Sequence, residues 1–266
     1  GAQLPCVIIN VQRGGPGLGD IQPAQGDYFQ ATKGGGHGDY RLIVLAPSSV
    51  QEFADMASEA FDLADKYRNP VMILADGMLG QMMEPVDFKP AKTDQEIEAM
   101  GHQHESWCIH PNQDGDLKHH HEINSLEIDP VVLEKHVTKL YEKYAQIEAN
   151  ETRHELYNIN DDNEILVVAF GTASRVVRSA VDELNAEGKN IGLFRPITVW
   201  PYPYEELAKC IGPRVKQVYV FELNTGQMVE DVKIAVNGKV PVNFWGRVGG
   251  MVFTPEQIKE KLQACF

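Results

Sequence analysis

Apolar positions fall into two periods along this chain, short continuous runs and three-to-four-residue stripes, and their alternation predicts strands followed by helices. Cys6 to Val11, CVIINV, is a β-branched run that reads as a strand covered on both faces, as in a parallel sheet. Arg41 to Ala46, RLIVLA, predicts a second strand. Ser49 then stands three residues before Glu52, the spacing of a capping box, and Val50, Phe53, Ala57, Ala60, Phe61 and Ala64 mark one face of a helix running to about Tyr67. Asn69-Pro70 ends that helix. Val71 to Ala75 predicts a third strand, closed by Asp76-Gly77 as a turn.

From Glu84 to Asp162 the composition changes to scattered prolines, mixed acids and most of the histidines, which predicts a connecting segment. One helix is expected inside it, with Asp129 as N-cap, Pro130 at the first helical position, and Leu133, Val137, Leu140, Tyr141, Tyr144 and Ile147 along one side. From Asn163 onward strands and helices alternate as βαβ units: strands at Glu164 to Phe170, Ile191 to Phe194, Gln217 to Leu223 and Val240 to Phe244, and helices after Gly171, at Tyr204 to Ile211, Met228 to Val236 and Pro255 to Ala264. Thr172 and Ser174 at the first strand–helix junction suit capping better than anion binding. The fold class is α/β with two open, mostly parallel sheets, divided as residues 1–90, a connecting segment 91–160, and residues 161–266. The first block has too few layers to cover a parallel sheet, so upstream residues or a partner chain are expected to complete it.

Composition narrows the function. The 266 residues are 43% hydrophobic with a formal net charge of −14, which disfavours nucleic acid or an anionic membrane surface as a partner. No run of about 20 apolar residues and no leader pattern is visible, so a cytoplasmic address is the default expectation. Cys6, Cys108, Cys210 and Cys265 lie far apart, which speaks against a zinc ribbon or an iron–sulfur cluster held by this chain, and Cys6 reads as a small buried hydrophobe. In His119-His120-His121-Glu122, consecutive side chains cannot converge from one face, so a solvated tract is expected rather than a metal site.

The candidate chemistry sits directly after the first strand, in QRGGPGLGD. Arg13 stands at the carboxyl end of that strand, where open parallel sheets bind ligands, and its planar fork can hold a carboxylate or phosphate by two parallel hydrogen bonds. Gly14 and Gly15 let backbone approach a ligand closely. An equally ordinary role for Arg13 is to pin the loop through Asp20 or Asp27. His37, in GGGHGD, is a second candidate for the pocket, set against a structural role. Neither glycine cluster matches a nucleotide-binding fingerprint.

Taken together, NVQRGGPGLGD, QGDYFQATKGGGHGD, LAPSSVQE, NPVMILADG and GTASR resemble the α subunit of the 2-oxoacid:ferredoxin oxidoreductases over essentially the whole chain, nearest the branch that acts on 3-methyl-2-oxobutanoate (2-ketoisovalerate). The resemblance implies a partial thiamine-diphosphate pyrimidine-binding-like domain joined to a transketolase C-terminal-like domain. It implies oxidative decarboxylation of a 2-oxoacid, with the acyl group passed to coenzyme A and electrons passed through iron–sulfur clusters to ferredoxin. Arg13 matches the family arginine that faces the substrate carboxylate. The family's substrate-binding threonine and cofactor-activating glutamate lie before this strand and match no residue here, so the chain alone is expected to be inactive. Thiamine diphosphate with a divalent ion is expected at the boundary with a β subunit, and γ, ferredoxin-like δ and α–α contacts complete the implied assembly. Three alternatives stay open: a 2-oxoglutarate or pyruvate enzyme of the same family, another thiamine-dependent dehydrogenase or transketolase-like component, and a non-catalytic assembly module.

Overall fold

A computed structural model describes residues 1–104, 107–109 and 121–266. The first half carries β1 (Cys6–Gln12), α1 (Tyr28–Thr32), β2 (Ile43–Leu45), α2 (Val50–Tyr67), β3 (Pro70–Asp76), α3 (Gly77–Gln81), α4 (Asp94–His104) and α5 (Pro130–Glu151). The second carries β4 (His154–Tyr157), β5 (Ile165–Val168), α6 (Gly171–Ala186), β6 (Ile191–Pro196), β7 (Thr198–Trp200), α7 (Tyr204–Lys209), β8 (Gln217–Glu222), α8 (Met228–Val236), β9 (Val242–Gly246) and α9 (Pro255–Gln263). Among the described residues the strands form two sheets, ordered β1-β3-β2-β7 and β4-β6-β5-β8-β9, parallel except where β7 and β4 join antiparallel. The expected α/β class and both mostly parallel sheets are present.

The second sheet is covered on both faces, and β5 shows how. Ile165, Val167 and Ala169 pack with Val177, Val181 and Leu184 of α6 and with Ile258 and Leu262 of α9. Leu166, Val168 and Phe170 turn the other way, into a core shared with α8, α2, α5 and the first sheet. A period of two in direction thus needs no period of two in polarity when both faces are dry.

β1 departs from expectation. Among the described residues it pairs only with β3 and forms the sheet's edge, so Cys6, Ile8, Ile9 and Val11 are exposed and, within the strand, only Gln12 is buried. Neither the strand nor its thiol is covered on both faces. The second correction is Asp76-Gly77, which is no mere turn: Asp76 caps α3 by accepting from the Met78 and Leu79 amides. Half of the expected capping box at α2 forms, with Ser49 accepting from the Glu52 amide at 3.1 Å, while the Glu52 carboxylate turns to the Ser48 amide and to Arg195. Five elements were not anticipated: α1, α3, α4, β4, and β7, which crosses from the second half to pair with β2. α5 begins at the expected Asp129–Pro130 cap. Leu140, Tyr144 and Ile147 are buried there, while Leu133 and Tyr141 are exposed.

Buried charge ties the halves together. The Arg195 guanidinium forks onto Glu52 at 2.6 and 2.9 Å and reaches Glu155 at 2.7 Å. Burial opposes the ionised form of Glu52, yet the hydrogen bonds and charge of Arg195 carry its carboxyl below the usual range. Among the described residues no helix is long and apolar enough to cross a membrane.

Candidate active site

The carboxyl ends of both sheets meet along one seam, and the chain leaving β1 is what laces them. Gln12 donates to the Ala75 carbonyl of β3 at 3.2 Å and accepts from the Asp27 amide at 2.9 Å, so it holds both ends of the intervening loop. Gln25 carries that loop onto the second sheet, donating to the Phe170 carbonyl at 2.9 Å and accepting from the Leu223 amide at 3.0 Å. Asn224 donates back to the Gln25 carbonyl at 2.8 Å. Beside them the Thr172 hydroxyl donates to Asp76, so Thr172 acts as an inter-sheet tie rather than a helix cap.

Two carboxylates at this seam are sealed from water. Burial holds Asp76 above the ordinary carboxylate range, against the pull of Thr172 and two amides. Glu222 is likewise raised by burial, although it accepts from Asn224 and from the Met228 and Val229 amides at the start of α8. Both are spent on capping and lacing. Among the described residues no three His, Cys, Asp or Glu side chains converge to hold a metal.

The glycine-rich part of the loop stands clear of the seam and is bonded to itself. Gly14 donates to the Gln22 carbonyl at 2.8 Å, Asp20 donates to the Gly14 carbonyl at 3.0 Å, and the Asp20 carboxylate accepts from the Gln22 amide at 2.8 Å. Gly19 makes this closure possible: its φ is +54°, and a Cβ there would lie 1.8 Å from the Gly14 carbonyl oxygen. Gly15 is exposed and touches nothing that a side chain would displace.

Arg13 is exposed at the carboxyl end of β1, and it pins this loop through backbone instead of Asp20 or Asp27 side chains. Its Nη1 donates to the Leu18 carbonyl and to the Asp20 carbonyl, the latter at 2.8 Å. The Asp27 carboxylate is taken by Asn10 at 3.0 Å. No other hydrogen bond of Arg13 is found among the described residues, which leaves Nε and Nη2, the side-on fork that grips a carboxylate. Pinning the loop therefore occupies one nitrogen and leaves the other two without a partner among the described residues.

The structure does not bring His37 to this place. Its exposed loop leads into the amino end of β2, whereas Arg13 leaves the carboxyl end of β1, and the two strands run parallel through β3. His119 and His120 lie outside the described residues, and His121 bonds the Cys108 carbonyl at 2.8 Å. Sequence reasoning missed the stretch between β9 and α9. Gly250, at φ +77°, lies so close to the glycine-rich loop that a Cβ would come within 2.3 Å of Gln22 Cβ, and the exposed Val248 and Met251 flank it in the sequence. The pair Gly249-Gly250, following β9 at the carboxyl end of its sheet, is the signal that pointed there.

Known proteins supply the family. A profile described as pyruvate flavodoxin/ferredoxin oxidoreductase, thiamine diphosphate-binding, matches residues 1–157, and one described as pyruvate:ferredoxin oxidoreductase core domain II matches residues 163–258. The chain belongs to the 2-oxoacid:ferredoxin oxidoreductase family. Within the family, the ketoisovalerate oxidoreductase subunit VorB of Methanothermobacter thermautotrophicus is 47% identical over 264 residues, 99% of this chain and 71% of that protein. The 2-oxoglutarate synthase subunit KorA of Methanocaldococcus jannaschii is 33% identical over 276 residues, 97% of this chain and 73% of that protein. The resemblance read from the loop motifs is thus correct, including its lean toward the ketoisovalerate branch. In three dimensions the 2-oxoglutarate:ferredoxin oxidoreductase of Magnetococcus marinus, solved with 2-oxoglutarate, coenzyme A and succinyl-CoA, superposes with a TM-score of 0.77 at 24% identity. That match covers 99% of this chain and 49% of the solved one, and it establishes the shared family fold.

Proposed function

We propose that this chain is the α-type subunit of a complex that oxidatively decarboxylates 3-methyl-2-oxobutanoate to the branched acyl-CoA and CO2, with electrons passed to ferredoxin. The observation that carries the reading is the half-used guanidinium of Arg13, fixed on one nitrogen and open on the other two at a strand's carboxyl end. Held this way the side chain is pre-oriented, so gripping a 2-oxoacid carboxylate costs little further rotamer entropy. Gly15 is exposed and leaves room for that carboxylate to approach the backbone, whereas Gly14 is buried and closed off by the Asp20 carboxylate, which a Cβ there would meet at 2.5 Å. The name carried by the ketoisovalerate relative supports the branched substrate over 2-oxoglutarate.

In this reading, residues 1–90 are a partial pyrimidine-binding-like domain, residues 161–266 a transketolase C-terminal-like domain, and 91–160 the connection between them. Thiamine diphosphate supplies the electron sink for decarboxylation when bound at the boundary with a β subunit, together with its divalent ion. The described residues suit the substrate's anionic end and not the activation of that cofactor, because Asp76 and Glu222 are committed to helix caps. The iron–sulfur clusters and the exit to ferredoxin fall to the β, γ and δ subunits in this reading, and the activating acid, which in the family precedes the strand that ends at Arg13, is supplied by none of the described residues. An exposed ion pair contributes only about 0–1 kcal/mol, so Arg13 acts strongly only once a partner chain closes over it and lowers the local dielectric. This chain alone should bind 2-oxoacids weakly and turn none over.

Steady-state rates of coenzyme A-dependent viologen reduction by the reconstituted complex test the proposal. The highest kcat/KM is expected for 3-methyl-2-oxobutanoate, ahead of pyruvate and 2-oxoglutarate. A preference for 2-oxoglutarate would refute the substrate, and the absence of any 2-oxoacid-dependent reduction would refute the function.

A further inference from the structure

The glycine-rich loop violates the ordinary composition of surface turns. It is rigidly closed by its own backbone bonds, yet it holds Leu18 86% exposed and Ile21 75% exposed. Loops of this kind are normally tipped with polar residues, and two aliphatic side chains kept in water forgo the stabilisation of burial. Their placement beside a cation is set by hydrogen bonds. The Leu18 carbonyl is itself a partner of Arg13 Nη1, and Ile21 follows directly on Asp20, whose carbonyl is the other partner. Gly250 meets this loop at Gln22, and the exposed Val248 and Met251 flank Gly250 in the sequence.

We infer that Leu18, with Ile21 beside it, is the specificity-determining contact for the branched alkyl group of the substrate. The inference rests on the reading of Arg13 as the carboxylate clamp. A short 2-oxoacid has an anionic end and an alkyl end only a few bonds apart. The loop presents a guanidinium fork and an isobutyl group tied to one another through a single carbonyl. An acid with a second carboxylate at its far end, such as 2-oxoglutarate, would have to bury that charge against aliphatic carbon, which is strongly unfavourable without a partner. The loop thus selects for apolar branching and against a distal acid. The occupant is a substrate rather than a protein surface because the loop's cation keeps a bidentate fork, Nε and Nη2, that no described residue takes.

The test uses the reconstituted complex and compares kcat/KM for 3-methyl-2-oxobutanoate with that for pyruvate, which carries a methyl group in place of isopropyl. Leu18→Ala should lower the ratio roughly tenfold, the scale set by losing aliphatic contact with a substrate methyl or two, while the volume-conserving Leu18→Met should keep it within about twofold. Ile21→Ala should move the ratio in the same direction. If Leu18→Ala lowers both substrates equally, or loosens subunit association in sedimentation with the ratio unchanged, Leu18 contacts a partner chain and the inference fails. Should the alanine variant not assemble, Leu18→Val must still lower the ratio by a smaller factor, and an unchanged ratio there overturns the assignment. Arg13→Ala separates the two levels. Loss of both substrates with an unmoved Leu18 ratio sinks this inference alone, whereas a wild-type KM in Arg13→Ala sinks the clamp on which it rests.

Discussion

β1 and β5 carry nearly the same kind of apolar run, CVIINVQ and ILVV, yet every residue of β5 is buried and most of β1 lies open. The difference is one of neighbours. β5 sits between β6 and β8 with α6 and α9 on one face and the shared core on the other, whereas β1 has, among the described residues, β3 alone. An apolar β-branched stretch therefore encodes the intention to be covered, and a strand's place in its sheet decides whether one chain supplies the cover. The open strand ends in Arg13, and the covered one ends in Phe170 and the seam. The proposed carboxylate clamp stands at the end of the strand with the fewer neighbours among the described residues.

That contrast can be broken by a buried charge. Val167→Asp in β5 places an unpaired carboxylate in a dry layer and is expected to prevent folding, at a cost above about 4 kcal/mol. Ile9→Asp in β1 should change this chain's stability by no more than about 0.5 kcal/mol, because Ile9 is already 51% exposed. Urea unfolding followed by circular dichroism compares them directly, and equal damage at both sites would end the comparison. Phe170→Ala, at the covered strand's exit, should cost about 3–5 kcal/mol by the same measurement.

A smaller effect sharpens the seam. Asp76 has its folded pKa raised by burial, so the folded state holds that proton more tightly than the unfolded chain does. Its contribution is most favourable below the unfolded carboxylate range and is lost as pH rises through the raised folded value. Relative to wild type, Asp76→Asn should therefore be more stable at pH 8 than it is at pH 5. Unfolding curves at the two pH values check this, and a difference of the opposite sign would mean that Asp76 is stabilised as the anion. The smallest effect belongs to the capping box of α9. Thr254→Ala removes the acceptor for the Gln257 amide and should cost about 1 kcal/mol, read as a lowered urea midpoint with an unchanged slope.

Much of the architecture was legible because it depends on local rules. The Asp129–Pro130 start of α5, the helix from Val50 to Tyr67 and the βαβ alternation after Asn163 follow from capping and periodicity that neighbouring residues settle among themselves. β7 was not legible: three residues, TVW, become a strand only because β2 offers an edge more than 150 positions earlier in the chain. The role of Asp76 was hidden for the same reason, since its partner Thr172 lies 96 residues away. At the site, Arg13 could be singled out from its strand-end position, but the split of its nitrogens between loop and solvent could not. That split depends on how Gly14 to Asp20 closes, and a glycine run alone does not fix its own path.

The central claim is that the open fork of Arg13 grips the substrate's carboxylate. Initial rates of coenzyme A-dependent viologen reduction by the reconstituted complex, with wild-type chain and with Arg13→Gln, test it most directly. The account predicts kcat/KM for 3-methyl-2-oxobutanoate lower by roughly a hundredfold in the variant, the scale of two lost charge-assisted hydrogen bonds, with subunit assembly intact. A variant with an unchanged KM and kcat for the 2-oxoacid would contradict it and leave Arg13 as a pin for the loop alone.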